Sequence, residues 1–408
     1  MKNPFAFKPG AKPALVTDRT HIEAVFDRGT VTEVYPSREE VINALTGGLR
    51  MRIYIGFDAT ATALHLGHAR NIMFLEELRQ MGHEVIVLFG DFTAMIGDPD
   101  KSATRKQLTR EDVKKNVADW MRQIKPIISF DDDKNPAKLM YNSEWLSKLT
   151  FTDVVELASN FTVQQLIERD MFEKRLKAGN PIHLHEFMYP LMQGYDSVAM
   201  DVNAELCGSD QIFNALAGRT LMKRLKNKDK FVIALNLIAN PVTGQLMSKS
   251  NGTGVFIDQS PKDFYGSIMA LPDPMIEPLF MHLTRIPLDQ KESIMATGPR
   301  AAKAAVAFDI VKRWHGEKAA QEAEQAFNNT FAKGAVPTDI AEVYLGTGSV
   351  ADALVKAAIV ESKSEYRRLI GEGAVKTDTD EKITDPNWKP AGEVILKVGK
   401  RRFVKIRA

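Results

Sequence analysis

Met51-Arg52-Ile53-Tyr54-Ile55-Gly56-Phe57, then His65-Leu66-Gly67-His68, then the apolar run from Glu84 to Phe89 together decide the fold of this chain. The first run reads as a buried strand, Leu66 to Gln80 has helical spacing, and Glu84 to Phe89 reads as a second strand. Strand, helix and strand in that order open a parallel sheet with a right-handed crossover, so the expected class is α/β. The two imidazoles should then stand at a strand-to-helix turn. A helix start offers unpaired backbone N–H groups and a positive dipole end, which is where phosphates bind. Gly67, between the two histidines, lets a nucleotide approach the backbone closely.

About 180 residues later, Leu246-Met247-Ser248-Lys249-Ser250 sets a lysine between two serines in a loop rich in glycine (Gly244, Gly252, Gly254). A cation on such a loop can reach a polyphosphate, and the two motifs in this order read as an adenylate-forming site. Each alone has a plainer reading. His-x-x-His can be a metal pair, but zinc helices usually space their histidines four apart, and no third His lies nearby. A Ser-Lys-Ser loop by itself is most often a solvated turn. No metal site is expected.

At 408 residues the chain exceeds one ordinary core, so two or three domains are expected. Apolar residues at 44% and charged residues at 26% are those of a soluble globular protein. No stretch approaches the ~18 apolar residues of a membrane span, the longest lying near Phe231 to Ala239. The start lacks the apolar core of a secretory signal, and the single cysteine, Cys207, cannot form an internal disulfide; both fit a reducing cytoplasm. The net charge of +2 is unevenly placed: residues 348–408 hold 13 Lys and Arg against 9 Asp and Glu. This excess peaks at Lys400-Arg401-Arg402-Phe403-Val404-Lys405-Ile406-Arg407, which alternates as a strand with one cationic face would. A lysine-rich edge strand that guards against aggregation has the same pattern.

Along the chain, residues 38–46 read as a short helix closed by Gly47-Gly48, and Gly90 to Pro99 as a loop at the carboxyl end of the second strand, where ligands of open α/β sheets bind. Thr109 can cap a helix with Glu111 and Asp112 in its first turn. Residues 143–200 are mainly helical, 208–224 is a further helix, and Phe231 to Leu235 is a strand. Pro261 to Asn329 has helical periodicity throughout. A turn-rich link at 345–349 precedes a tail in which Ser362 opens a capped helix carrying Arg367 and Arg368.

The motifs at 65–68 and 246–250 resemble the HIGH and KMSKS elements of class I aminoacyl-tRNA synthetases. Tyr54-Ile55-Gly56-Phe57-Asp58-Ala59-Thr60, Ile96-Gly97-Asp98-Pro99, Tyr189-Pro190-Leu191-Met192-Gln193-Gly194-Tyr195-Asp196 and Gly208-Ser209-Asp210-Gln211 are similar, in order, to segments of the bacterial tyrosyl-tRNA synthetase family. The tail resembles the small RNA-binding domain that this family shares with a ribosomal small-subunit protein. The resemblance implies a Rossmann-like parallel-sheet catalytic domain over 1–258, with an N-terminal extension and a helical insertion. An α-helical anticodon-recognition domain over 259–345 and a small α+β RNA-binding domain over 346–408 would follow. It implies a ligase that activates L-tyrosine with ATP, accompanied by Mg2+, and transfers the tyrosyl group to the 3′ end of tRNA(Tyr), acting as a cytoplasmic homodimer.

Residue by residue, the family positions that bind tyrosine match Tyr54, Asp98, Tyr189, Gln193 and Asp196, with Tyr54 and Asp196 on the phenol hydroxyl and the other three on the ammonium group. Those for ATP match Gly56, Asp58, Thr60, His65, His68, Gly208, Asp210, Gln211, Met247 and Lys249; Thr60, His65, His68 and Lys249 form the catalytic set. Lys363, Arg367, Arg368, Lys400, Arg401 and Arg402 are the expected tRNA contacts. Physical reading supports the pocket: Tyr189, Gln193 and Asp196, four and three apart, share one helical face. The chain departs from the family at Leu246 for the first lysine of KMSKS, Ala59 for proline, one residue fewer between Pro99 and Lys101, and Cys207 for glycine. A tryptophanyl enzyme has similar signatures, but an indole carries one donor and no hydroxyl for Tyr54 and Asp196 to read. A small-molecule nucleotidyltransferase is disfavoured by the helical region and basic tail, and a non-catalytic RNA-binding relative by the intact His65, His68 and Lys249.

Overall fold

The computed structural model describes residues 12–58, 63–96, 109–167, 170–247, 253–329, 341–345, 348–357, 359–377, 381–390, 392–399 and 402–407. They fall into two compact units, Met1–Gln321 and Glu322–Ala408.

The first unit is built on six strands: β1 (Val31–Tyr35), β2 (Arg52–Phe57), β3 (Glu84–Phe89), β4 (Lys138–Tyr141), β5 (Ala204–Gly208) and β6 (Phe231–Leu235). Their order in the sheet is β1-β6-β5-β2-β3-β4, with β6 through β4 parallel and β1 antiparallel to β6. Every residue of β3 is buried, which is why it reads as a continuous apolar run: helices cover both faces of a parallel sheet. The helix Leu66–Gln80 joins β2 to β3 and buries Leu66, Ala69, Ile72, Met73, Phe74, Leu75 and Leu78, so it lies in the interior. The expected helices at 38–46 and after Thr109 are present as Arg38–Thr46 and Arg110–Ile124, the latter with a Thr109–Asp112 capping box. The helix expected over 208–224 runs instead over Ile212–Lys226, because Ala204–Gly208 is a strand. From β2 the chain steps outward to β3 and β4, then returns to place β5 on the other side of β2. The crevice at the carboxyl ends of β2 and β5 is therefore the topological switch point, where open α/β sheets bind ligands.

The second unit carries a four-stranded sheet ordered β7-β10-β9-β8, from β7 (Ala341–Tyr344), β8 (Val375–Thr377), β9 (Val394–Val398) and β10 (Arg402–Arg407). Its own core gathers Val350, Leu354, Tyr366, Leu369, Leu396, Val404 and Ile406. The strand β7 lies before the link at 345–349 yet pairs in parallel with β10.

Candidate active site

The first turn of the helix Leu66–Gln80 is closed by the two histidines themselves. Gly67 N donates to His65 Nδ1 at 3.1 Å, and His65 N donates to His68 Nδ1 at 3.4 Å, a reciprocal cap in which imidazoles replace the usual hydroxyl and carboxylate. The rings lie 4.0 Å apart, and His68 also packs on Phe57 and Trp120. Because each Nδ1 accepts, the neutral rings carry hydrogen on Nε2, and both become donors on that side. A Cβ at Gly67 would come 2.9 Å from the His65 ring.

The lysine loop is tied to this turn. On one flank Met247 N donates to Ile238 O at 2.8 Å; on the other, Leu66 N donates to Val255 O and Ile257 N to Leu64 O, both at 3.0 Å. Thr253 Oγ1 donates to Leu246 O at 2.8 Å, closing the base of the loop. Lys249 itself, with Thr60 and Asp98, lies outside the described residues. Gly208 ends β5, Asp210 follows on an exposed turn, and a Cβ at Gly208 would strike the Asp210 carboxylate. Gln211 Nε2 donates to Asp210 Oδ2 at 3.2 Å, and Gly56 is exposed at the end of β2. Arg70, one turn past Gly67, is fully buried beside Asp210, and burial lowers its pKa to about 10.

Behind the nucleotide side, buried polar groups form two chains. In the first, Tyr189 Oη donates to Asp58 Oδ2 at 2.7 Å and Thr93 Oγ1 to Asp58 Oδ1 at 2.6 Å. Phe92 N donates to Asn142 Oδ1, which leaves the two Nδ2 hydrogens for Thr93 Oγ1 at 3.1 Å and Asp196 Oδ2 at 3.3 Å; Trp145 Nε1 donates to Asp196 Oδ1 at 2.7 Å. Burial holds the Asp196 carboxyl well above the ordinary carboxylate range, opposed by the Trp145 and Asn142 donors. In the second chain, the Tyr54 hydroxyl lies 2.9 Å from Ser197 Oγ, and Gln193 Nε2 donates to Glu205 Oε1 at 2.9 Å. Lys230, fully buried, donates to Ser197 Oγ at 2.8 Å, to Ala215 O at 3.0 Å and to Glu205 Oε2. Tyr54 and Glu205 are register partners on β2 and β5. Burial, then Glu205 and Asp196, push the Tyr54 phenol up. Tyr54, Tyr189, Gln193 and Asp196 are thus brought together on β2 and the helix Met188–Met200. Thr93, Asn142, Trp145, Ser197, Glu205 and Lys230 were not anticipated. Ser197 had a signal, lying four residues after Gln193 on the same face, and a lone glutamate within the apolar run 204–208 was another.

Cys207 is buried against Ala215, Val232 and Ala234, and burial raises its thiol well above the ordinary value, so it is a core residue beside the site. In the second unit, Lys363 pairs with Asp352 at 2.6 Å and Arg368 with Glu372 at 2.7 Å, while Arg367 is exposed. Arg402 has the parity of the buried Val404 and Ile406, and donates to Glu365 Oε1 at 2.9 Å and to the Ile359 carbonyl. Lys400 and Arg401 lie outside the described residues. Among the described residues no group of three or more His, Cys, Asp and Glu could hold a metal ion, and no helix is long and apolar enough to cross a membrane.

Residues 48–332 match the family described as tRNA synthetases class I (W and Y). The chain is 42% identical to the tyrosine–tRNA ligase of Carboxydothermus hydrogenoformans, over 94% of this chain and 96% of that protein. It is 39% identical to the tyrosine–tRNA ligase of Haemophilus influenzae, over 96% and 98%. Among solved structures, a C-terminally truncated mitochondrial tyrosyl-tRNA synthetase of Aspergillus nidulans superposes with a TM-score of 0.66 at 23% identity, covering 76% of this chain and 94% of that one. The Archaeoglobus fulgidus tyrosyl-tRNA synthetase complexed with L-tyrosine gives 0.57 at 19%, covering 75% and 100%. At these identities the structures attest the fold.

Proposed function

The chain belongs to the class I tRNA synthetases of the tryptophan and tyrosine type, among the tyrosine–tRNA ligases, and from that premise we propose how its residues divide the reaction. Tyr54 and Asp196 read the phenol hydroxyl, and Tyr189, Gln193 and Asp98 hold the ammonium group. Gly56, Asp58, Gly208, Asp210, Gln211 and Met247 seat the nucleotide, and Thr60, His65, His68 and Lys249 act on its phosphates. The tyrosine carboxylate attacks the α-phosphate and expels pyrophosphate; the 3′-terminal ribose hydroxyl of tRNA then attacks the tyrosyl carbonyl and releases AMP. The first step needs positioning and charge stabilisation more than proton transfer, so donors at His65 and His68 Nε2 and the Lys249 ammonium suffice. ATP enters as its magnesium complex, the ion held by phosphate oxygens. That suits a site whose Asp58 carboxylate already accepts from Thr93 and Tyr189.

The observation that carries this reading is the pairing of Val255 and Ile257 with Leu66 and Leu64, which ties the carboxyl-side flank of the lysine loop to the histidine turn. Catalysis is assigned to residues 1–258, anticodon recognition to 259–345, and RNA binding to 346–408 together with β7, which shares its sheet. A cytoplasmic location fits the single free cysteine, and a homodimer is supported by apolar side chains on the helical insertion between β4 and β5, where Phe151 is 84% and Leu184 77% exposed and would need cover. The test is tyrosine-dependent pyrophosphate exchange with single-turnover kinetics. Lys249→Ala should slow tyrosyl-adenylate formation while tyrosine affinity changes little; an unchanged rate removes the lysine from the mechanism.

A further inference from the structure

Lys230 stands immediately before β6, and its side chain is fully buried beneath the tyrosine pocket. All three hydrogens of its ammonium are placed: on Glu205 Oε2, on the Ala215 carbonyl and on Ser197 Oγ. The group has no spare room, since a Cβ at Gly218 would come within 2.5 Å of Lys230 Nζ and 2.8 Å of Ser197 Oγ. An ammonium can only donate, so Ser197 Oγ must accept from it. The hydrogen on Ser197 then has one remaining neighbour in its hydrogen bonds, the Tyr54 oxygen at 2.9 Å. Were Tyr54 to donate instead, the Ser197 hydrogen would be stranded in a dry interior, which costs more than the bond is worth.

We propose that the buried Lys230–Glu205 pair is a specificity device: by fixing Ser197 as the donor to Tyr54, it keeps the Tyr54 hydrogen for the phenol oxygen of bound tyrosine, opposite Asp196, which accepts the phenol hydrogen. Lys230 and Glu205 are positioning residues in this scheme. Glu205 borders Tyr54 on the adjacent strand and is a second hydrogen-bonding neighbour of its hydroxyl, but its two carboxylate oxygens already receive Gln193 and Lys230, which leaves it the weaker acceptor for the Tyr54 hydrogen. Without the ammonium, Tyr54 is free to donate to Ser197 and to turn a lone pair toward the substrate. The pocket would then present two acceptors to a single phenol hydrogen.

This rests on the reading of Tyr54 and Asp196 as the hydroxyl-binding pair, so the experiment separates the two. Removing Lys230 alone leaves a buried unpaired carboxylate and risks unfolding; the informative variant is Lys230→Met with Glu205→Gln, which neutralises both partners at once. In the full-length enzyme, kcat/KM for tyrosine over phenylalanine is measured by pyrophosphate exchange for this double variant, for Tyr54→Phe, and for the triple combination. Circular dichroism and thermal melts establish that each is folded. The double variant should relax the preference by roughly five-fold, the worth of one neutral hydrogen bond. In the Tyr54→Phe background the same two changes should relax it no further, because their effect passes through the Tyr54 hydrogen. A merely structural role would give additive losses, and that result overturns the proposal, as does a wild-type ratio in the double variant. If Tyr54→Phe itself keeps the wild-type ratio, it is the hydroxyl reading that fails. Should the double variant not fold, Ser197→Ala replaces it as the variant compared in both backgrounds, and additivity there likewise overturns the proposal.

Discussion

Asp196 is the residue whose replacement tests the pocket most directly. Its carboxylate accepts from Trp145 and Asn142, so Asp196→Asn sets an amide NH2 against one of those donors and should cost about 1–3 kcal/mol of stability. The cost should depend on pH with a definite sign. A carboxyl whose folded pKa lies above its unfolded value makes the native state bind more protons, so wild type loses stability as pH rises from near 3.8 toward the folded value. The variant lacks this slope, and the stability gap between the two should be widest in acid and narrow as pH rises; chemical denaturation across pH measures it, and a widening gap would contradict the shift. Cys207 makes the opposite kind of prediction. A buried thiol with a raised pKa should resist alkylation in the native enzyme and react only after unfolding, with mass spectrometry as the readout. At this scale the sequence was legible where a family motif fell, as at Tyr54, Tyr189, Gln193 and Asp196. It was silent on Asn142, Lys230 and Glu205, whose side-chain partners lie 12 or more residues away and meet only in the fold.

Among the elements, the helix that begins at Leu66 depends on a cap made of its own functional groups. Gly67→Ala would push a methyl group against the His65 ring, so it should cost about 1 kcal/mol in stability, as cap losses do, and slow adenylate formation more than it weakens tyrosine binding. Wild-type adenylate kinetics would show that the ring has somewhere to move. The turn before β3 carries a third histidine with a structural task. His83 is buried, its Nδ1 accepts from Met51 N at 3.3 Å, and burial lowers its pKa from 6.5 to about 4. A histidine with a depressed folded pKa contributes stability that is fully present above pH 6.5 and is lost as pH falls toward 4, on the order of 3 kcal/mol by the size of the shift. His83→Gln should flatten that part of the acid limb in thermal melts recorded from pH 7 to pH 4. Strands β2, β3 and β6 were readable because most of their residues are buried on both faces and the runs are mainly apolar. Strand β4 is only four residues long, β1 is an edge strand with little apolar signal, and β5 hides a glutamate that Lys230 neutralises from just before the next strand.

For the molecule as a whole, the charge excess of the tail overstates what is available to nucleic acid. Lys405 and Arg407 pair with Glu393 and Glu342, as Arg402 does with Glu365, so several of the cations on β10 are already matched. Deleting the second unit from Glu322 onward, which takes β7 with its sheet, should spare tyrosine-dependent pyrophosphate exchange and abolish efficient charging of tRNA(Tyr). Binding of that tRNA to the intact chain should weaken as salt rises, with a slope set by the unmatched cations alone. Normal charging by the truncated protein would make the unit a structural appendage. The basic tail and the turn-rich link at 345–349 are visible in the sequence, but the second unit begins at Glu322, before that link, and the parallel pairing of β7 with β10 left no local trace. The order β1-β6-β5-β2-β3-β4 has one more implication, for synthesis. Among the described strands the one nearest the amino terminus pairs with β6, some 200 residues later, and the histidine turn waits about 190 residues, until after β6, for Val255 and Ile257. During translation the first unit therefore stays open at its edge and without a finished nucleotide site until the chain beyond Ile257 has left the ribosome. Nascent chains stalled before β6 should be cut readily by protease and bind no ATP analogue, and those stalled after the whole first unit has emerged should resist and bind.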